Sequence, residues 1–103
     1  MTKYYLYYVY ILKCNDGTYY TGVTNNISLR ISQHENGLSK DSYTYSRRPV
    51  KLVFYAEFTD INIAIQKEKQ IKKWSKKKKE ALINGDFDLL PELSKKYFSK
   101  KKK

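Results

Sequence analysis

Several ingredients that define whole classes of protein are scarce or missing in this chain. It has a single cysteine, Cys14, which cannot close an internal disulfide and has no companion at metal-ligand spacing. A disulfide partner, a zinc site and redox chemistry are therefore unsupported, and the expected role of Cys14 is that of a small buried hydrophobe near a strand end. The N-terminus lacks a basic region followed by a long apolar run, and no stretch approaches the ~20 apolar residues of a membrane span. Neither secretion nor membrane insertion is indicated, so a cytoplasmic protein is expected. There is no internal repeat. Acidic residues are few, ten against 21 Lys and Arg, for a formal net charge of +11.

That excess of one sign implies a polyanionic partner or surface, because self-repulsion has to be tolerated for some reason. Fourteen of the basic residues lie between Lys67 and Lys103. Aromatic content of 16% rules out a disordered basic tail as the whole molecule. Nucleic acid is the favoured partner. With 103 residues there is room for one core and no second domain. The expected organisation is a single domain over residues 1–93 followed by a basic tail, 94–103.

What the chain has in abundance is tyrosine, and seven of its eleven fall in the first twenty residues. A strand needs only apolar bulk, whereas a buried phenol also needs a hydrogen-bond partner. Residues 4–12, YYLYYVYIL, are aromatic and β-branched with no helical period, as in a strand covered on both faces. CNDGT is turn chemistry, and YYTGV resumes the strand pattern, giving an antiparallel hairpin. Thr24, Asn25 or Asn26 can cap a helix from Ile27 to Glu35 that Gly37 stops. VKLVFYAEF, residues 50–58, is a third strand. Thr59 or Asp60 then caps a long helix from Ile61 through Lys78, and a turn at Asn84-Gly85, a second short helix and the basic tail follow. The order β-β-α-β-α with a short C-terminal helix predicts an α+β fold, a small three-stranded antiparallel sheet with flanking helices.

Two positions on these helices stand out. Ile61, Ala64, Ile65 and Ile71 trace an apolar stripe on the long helix, and Glu68 falls in the middle of it. A carboxylate facing a core is costly unless it is paired, here with Lys72 at i+4, or binds a metal. On the first helix, Arg30 and His34 are four apart and project together at the border of the core.

The hairpin register decides whether Tyr10 and Tyr20 can cooperate. A two-residue Asp16-Gly17 turn places them on opposite faces, since side chains alternate. A three-residue Asn15-Asp16-Gly17 loop pairs Cys14 with Thr18, sets Tyr10 across from Gly22 and makes Tyr20 its diagonal neighbour. The odd-length register is predicted. Gly22 is then expected to leave open space over the Tyr10 ring where a ligand could approach.

These residues resemble the GIY-YIG nuclease superfamily, in particular its small single-domain bacterial members related to the catalytic domain of the UvrC excision-repair subunit. Tyr8-Val9-Tyr10 occupies the GIY motif and Tyr20-Thr21-Gly22 the YIG motif, followed in the family's order by Arg30, His34 and Glu68. Tyr8, Thr21 and Val23 depart from the usual Gly, Ile and, in some members, Lys. Glu80 stands where many members carry a supporting Asn, a role that Lys72, one turn after Glu68, is expected to serve locally instead.

The resemblance implies hydrolysis of a DNA phosphodiester, with one Mg²⁺ or Mn²⁺ held by Glu68 and the phosphate oxygens held by Arg30. It further implies a tyrosine that takes a proton from the attacking water. Tyr10 is the expected base, oriented by Tyr20 and His34, with the reverse assignment of the two tyrosines open. Gly22, Arg47, Arg48 and Lys72 are the expected substrate contacts, the two arginines as a phosphate clamp. Lys76–Lys79 and Lys100–Lys103 would add salt-sensitive affinity. No sequence-reading module is attached, so nicking or recognition of DNA shape by a monomer is expected, in repair or recombination. The competing reading is a nucleic-acid-binding module of the same fold with little turnover.

Overall fold

In the structure, a computed structural model, residues 5–37 and 42–85 are described. Strands β1 (Tyr7–Lys13), β2 (Tyr19–Thr24) and β3 (Lys51–Phe58) form one antiparallel sheet in the order β2-β1-β3. Helix α1 (Ile27–Asn36) links β2 to β3, and helices α2 (Ile61–Lys72) and α3 (Lys76–Asn84) follow the sheet. The predicted α+β class and antiparallel sheet are both present.

β1 is the central strand, and Val9, Tyr10, Ile11 and Leu12 are all fully buried. Alternation along it divides the core in two. Val9 and Ile11 pack with Ala56, Phe58, Ala64, Ile71, Ala81 and Leu82, on the side of α2 and α3. Tyr10 and Leu12 pack with Cys14 and Val50, under Ile27 and Ile31 of α1. β1 starts at Tyr7 rather than Tyr4, because its ladders with β3 and β2 begin at Tyr7–Phe58 and Tyr8–Thr24. Tyr5 and Leu6, beyond the reach of either neighbour, are exposed.

The hairpin has the odd-length register. Cys14 N–H donates to Thr18 O at 2.8 Å, Gly17 N–H donates to Cys14 O at 3.0 Å, and Gly17 adopts φ +85°. Tyr10 therefore pairs with Gly22, and Leu12 with Tyr20. Of the candidate caps, Asn26 accepts from Leu29 N–H and Asp60 from Asn62 N–H. Gly37 ends α1 in the left-handed conformation.

One helix is two. The expected run from Ile61 to Lys78 ends at Lys72, and Ser75, with ψ 163°, caps a new helix by accepting from Lys78 N–H at 3.2 Å. The break lets Ala81 and Leu82 reach the core. Four lysines open α3, the end where the helix dipole disfavours cations, so the sequence does not advertise a start there. The turn at Asn84-Gly85 is present, with Gly85 left-handed. The second short helix and the basic tail lie outside the described residues. No helix among the described residues is long and apolar enough to cross a membrane.

Candidate active site

Tyr10 projects from the central strand toward α1, where its hydroxyl meets His34 Nε2 at 3.0 Å. The other imidazole nitrogen, Nδ1, lies 2.7 Å from Thr44 Oγ1, and that hydroxyl is 3.3 Å from Ser42 Oγ. Tyr20, on β2, places its ring 6.3 Å from Tyr10 and 5.1 Å from His34, centroid to centroid. Tyr43 stacks on Tyr20 at 6.0 Å and carries the Arg47 guanidinium 3.9 Å from its own ring centroid. The two tyrosines and His34 thus form one cluster, closed on one side by the segment after α1.

Burial pushes the Tyr10 phenol up to about 12, with Tyr20 and Glu68 adding to the rise and Arg30 opposing it by charge and hydrogen bonding. Arg30 and the Glu68 carboxylate are both within electrostatic reach of the Tyr10 hydroxyl. His34 is held below its ordinary value, first by burial and then by Arg30. At neutral pH the site presents a neutral phenol and a neutral imidazole next to a guanidinium.

Glu68 lies on the sheet-facing side of α2 with its side chain 10% exposed, and its Oε2 accepts from Lys72 Nζ at 3.0 Å. That hydrogen bond is the main cause of the raised Lys72 pKa, to which the nearby Tyr20 also contributes. Among the described residues no cluster of three or more His, Cys, Asp or Glu could enclose a metal. A lone carboxylate fits Mg²⁺, which keeps most of its waters and takes its remaining ligands from phosphate, better than it fits a metal needing several protein donors.

A family model of the GIY-YIG catalytic domain matches residues 6–81. The chain belongs to the GIY-YIG family. Over 76 residues it is 47% identical to a UPF0213 protein of Syntrophus aciditrophicus, covering 74% of this chain and 87% of that one. It is also 47% identical over 78 residues to a UPF0213 protein of Clostridium perfringens, covering 76% and 83%. An NMR structure of a UPF0213 protein from Bacillus halodurans aligns with a TM-score of 0.51 at 39% identity, over 77% of this chain and 83% of that one. A second NMR structure, of a protein from E. faecalis, aligns at 0.55 and 31% identity, over 87% and 92%. Family membership supports a nuclease-type function.

Within this GIY-YIG domain some expected roles change. Gly22 does not open a space for substrate: a Cβ there would lie 2.5 Å from the Tyr10 hydroxyl oxygen, so the protein's own ring fills that space. Tyr10 is fully buried, whereas Tyr20 is the half-buried phenol of the pair. Arg47 bonds Asp16 at 3.1 Å and the Tyr43 carbonyl at 2.8 Å, tying its segment to the hairpin turn. Arg48 donates to the Tyr45 carbonyl and packs on the Tyr45 ring and against Gly37. Both arginines are held by the fold rather than reaching outward as a clamp.

Tyr43 and Thr44 belong to the site and were not anticipated, because a polar segment without periodicity shows no partner ten residues upstream. Glu80, at the usual Asn position, accepts from the Tyr19 hydroxyl at 3.0 Å. Buried Tyr10 and half-buried Tyr19 thus each find the partner a phenol requires.

His34 is the chain's one histidine, so its titration can be followed without overlap. Its midpoint is expected below 6.5 by proton NMR. The unfolded chain takes up this proton first, so His34 removes stability as pH falls below 6.5 and removes no more once its folded pKa is passed. A midpoint at or above 6.5 would contradict the burial of the ring beside Arg30.

Proposed function

We propose that this chain is a divalent-metal-dependent DNA endonuclease that nicks one strand, acting on DNA by shape rather than sequence. What supports the reading is the convergence of two phenols, an imidazole and a guanidinium at one spot, within electrostatic reach of a carboxylate on the opposite helix layer. Pure binding of a polyanion gives no reason to bury a carboxylate there.

Arg30 holds the non-bridging oxygens of the scissile phosphate, whose negative charge grows as the water oxygen bonds to phosphorus. Tyr20, the more accessible phenol, first gives its own proton to solvent and, as the phenolate, takes the proton released by that water, with Lys72 nearby to favour the negative charge. The bond from phosphorus to the leaving sugar oxygen breaks, and that oxygen collects a proton from solvent. Tyr10 and His34 sit behind Tyr20 and fix Arg30. Glu68 would hold the divalent ion, which when bound supplies Lewis-acid neutralisation of phosphate charge.

With one such site per chain, nicking is the expected outcome, and nicks, flaps or branches are the expected substrates, consistent with work in repair or recombination. The test is incubation of the purified chain with supercoiled and branched DNA at low salt, with Mg²⁺ or Mn²⁺ and with EDTA. Conversion to nicked product with metal and none with EDTA is expected. Binding with a steep salt dependence and no cutting of any substrate would instead identify a nucleic-acid-binding module of the same fold.

A further inference from the structure

Thr44 has a hydroxyl but almost no access to solvent, at 1% exposure. It lies in the segment between α1 and β3, and its Oγ1 sits between His34 Nδ1 at 2.7 Å and Ser42 Oγ at 3.3 Å. Its neighbour Tyr43 stacks on Tyr20. Two consecutive residues thus brace two members of the site. We infer that Thr44 is a positioning residue that holds His34 in the tautomer with its hydrogen on Nδ1, leaving Nε2 to accept the Tyr10 hydroxyl hydrogen.

The direction follows from what each group can donate. A phenol is a stronger hydrogen-bond donor and a weaker acceptor than an aliphatic hydroxyl, and the Tyr10 and Thr44 oxygens lie at opposite nitrogens of the His34 ring. Tyr10 therefore gives its single hydrogen to His34 Nε2. A neutral imidazole has one hydrogen, which must then be on Nδ1, donated to Thr44 Oγ1. Thr44 in turn gives its own hydrogen to Ser42. The opposite tautomer would make the phenol oxygen, the weaker acceptor, take the Nε2 hydrogen and would leave the Tyr10 hydrogen without its acceptor. Thr44 thereby secures the position of the Tyr10 hydroxyl two hydrogen bonds away.

This inference deepens the proposed nuclease reading, and the measurement that decides it needs no turnover. In chain labelled with ¹⁵N-histidine, the single His gives one pair of imidazole signals. A protonated Nδ1 and an unprotonated Nε2 are expected at neutral pH. Thr44→Val, which keeps the shape and removes the acceptor, should move the population toward Nε2–H, and Thr44→Ser should restore it. Nicking kcat should fall at least tenfold in the valine variant, a part of the ~10²–10⁴ that a proton-handling group supplies, with KM little changed and recovery in the serine variant.

A wild-type spectrum with the hydrogen on Nε2 would overturn the inference, as would a valine variant that keeps the wild-type tautomer. If the valine variant fails to fold, the wild-type and serine spectra still decide it. If wild type cuts nothing, the proposed function fails while the tautomer is read all the same.

Discussion

Glu68→Gln is expected to abolish metal-dependent nicking while leaving DNA binding at low salt intact. Glutamine has the same shape and can still occupy the sheet-facing side of α2 beside Ala64, Lys67 and Ile71, all buried there. What it lacks is the negative charge that a hard divalent cation requires. Folding should change little: Lys72, the ion-pair partner, is 56% exposed and can return to water, and the buried glutamine keeps an acceptor oxygen while leaving no charge to bury.

A purely structural role for Glu68 makes the opposite forecast. If the carboxylate existed to pair with Lys72, Lys72→Met would be as damaging to activity as Glu68→Gln, and Mn²⁺ binding followed by electron paramagnetic resonance would be the same in wild type and both variants. The metal reading instead expects Mn²⁺ binding to disappear in Glu68→Gln and to persist in Lys72→Met, where a competing cation has been removed. Residual nicking by Glu68→Gln at the wild-type rate would sink the assignment.

The parts of the molecule that could be read from sequence are those where the determining residues are close together in it. The hairpin register follows from Asn15-Asp16-Gly17, because three loop residues and a left-handed glycine allow one pairing, and that pairing brings Tyr10 and Tyr20 to the same face. Helix ends at Asn26, Gly37 and Asp60 are legible for the same local reason. The break at Ser75 is hidden because a serine between lysines is also acceptable in an exposed helix, and only the gain from seating Ala81 and Leu82 in the core decides for the cap.

Long-range partners fared worst. Nothing near Thr44 announces His34, and nothing in the two adjacent arginines announces that Asp16 and the Tyr43 and Tyr45 carbonyls hold them. Lys67 is 2% exposed while Lys69, Lys72 and Lys73 on the same stretch are exposed, and burial lowers its pKa. A helical wheel ranks positions by residue type, whereas packing ranks them by where the sheet lies.

Gly22→Ala is expected to cripple the protein although the backbone at position 22 would accept any residue. The glycines with positive φ are Gly17, Gly37 and Gly85, and Gly22 is not among them, so conformational freedom is not what the position requires. The obstacle is contact. An alanine Cβ would lie 2.5 Å from the Tyr10 hydroxyl oxygen, 2.6 Å from Cζ and 3.0 Å from Cε2. The ring has nowhere near to go, being fully buried on the central strand and tied to His34 at 3.0 Å. Either β2 shifts against β1 or the phenol leaves its place and gives up that hydrogen bond. Overpacking of this kind costs about 1–3 kcal/mol, which for a domain of this size lowers Tm by roughly 5–20 °C. Nicking should be lost even at temperatures where the variant is folded, because displacing Tyr10 releases both His34 and Arg30. A double variant, Gly22→Ala with Tyr10→Leu, separates the causes: trading the ring for a shorter side chain should recover part of the lost Tm and none of the activity. A single Gly22→Ala variant with wild-type Tm and wild-type nicking would mean that the close approach of Tyr10 to β2 is not what orders the site.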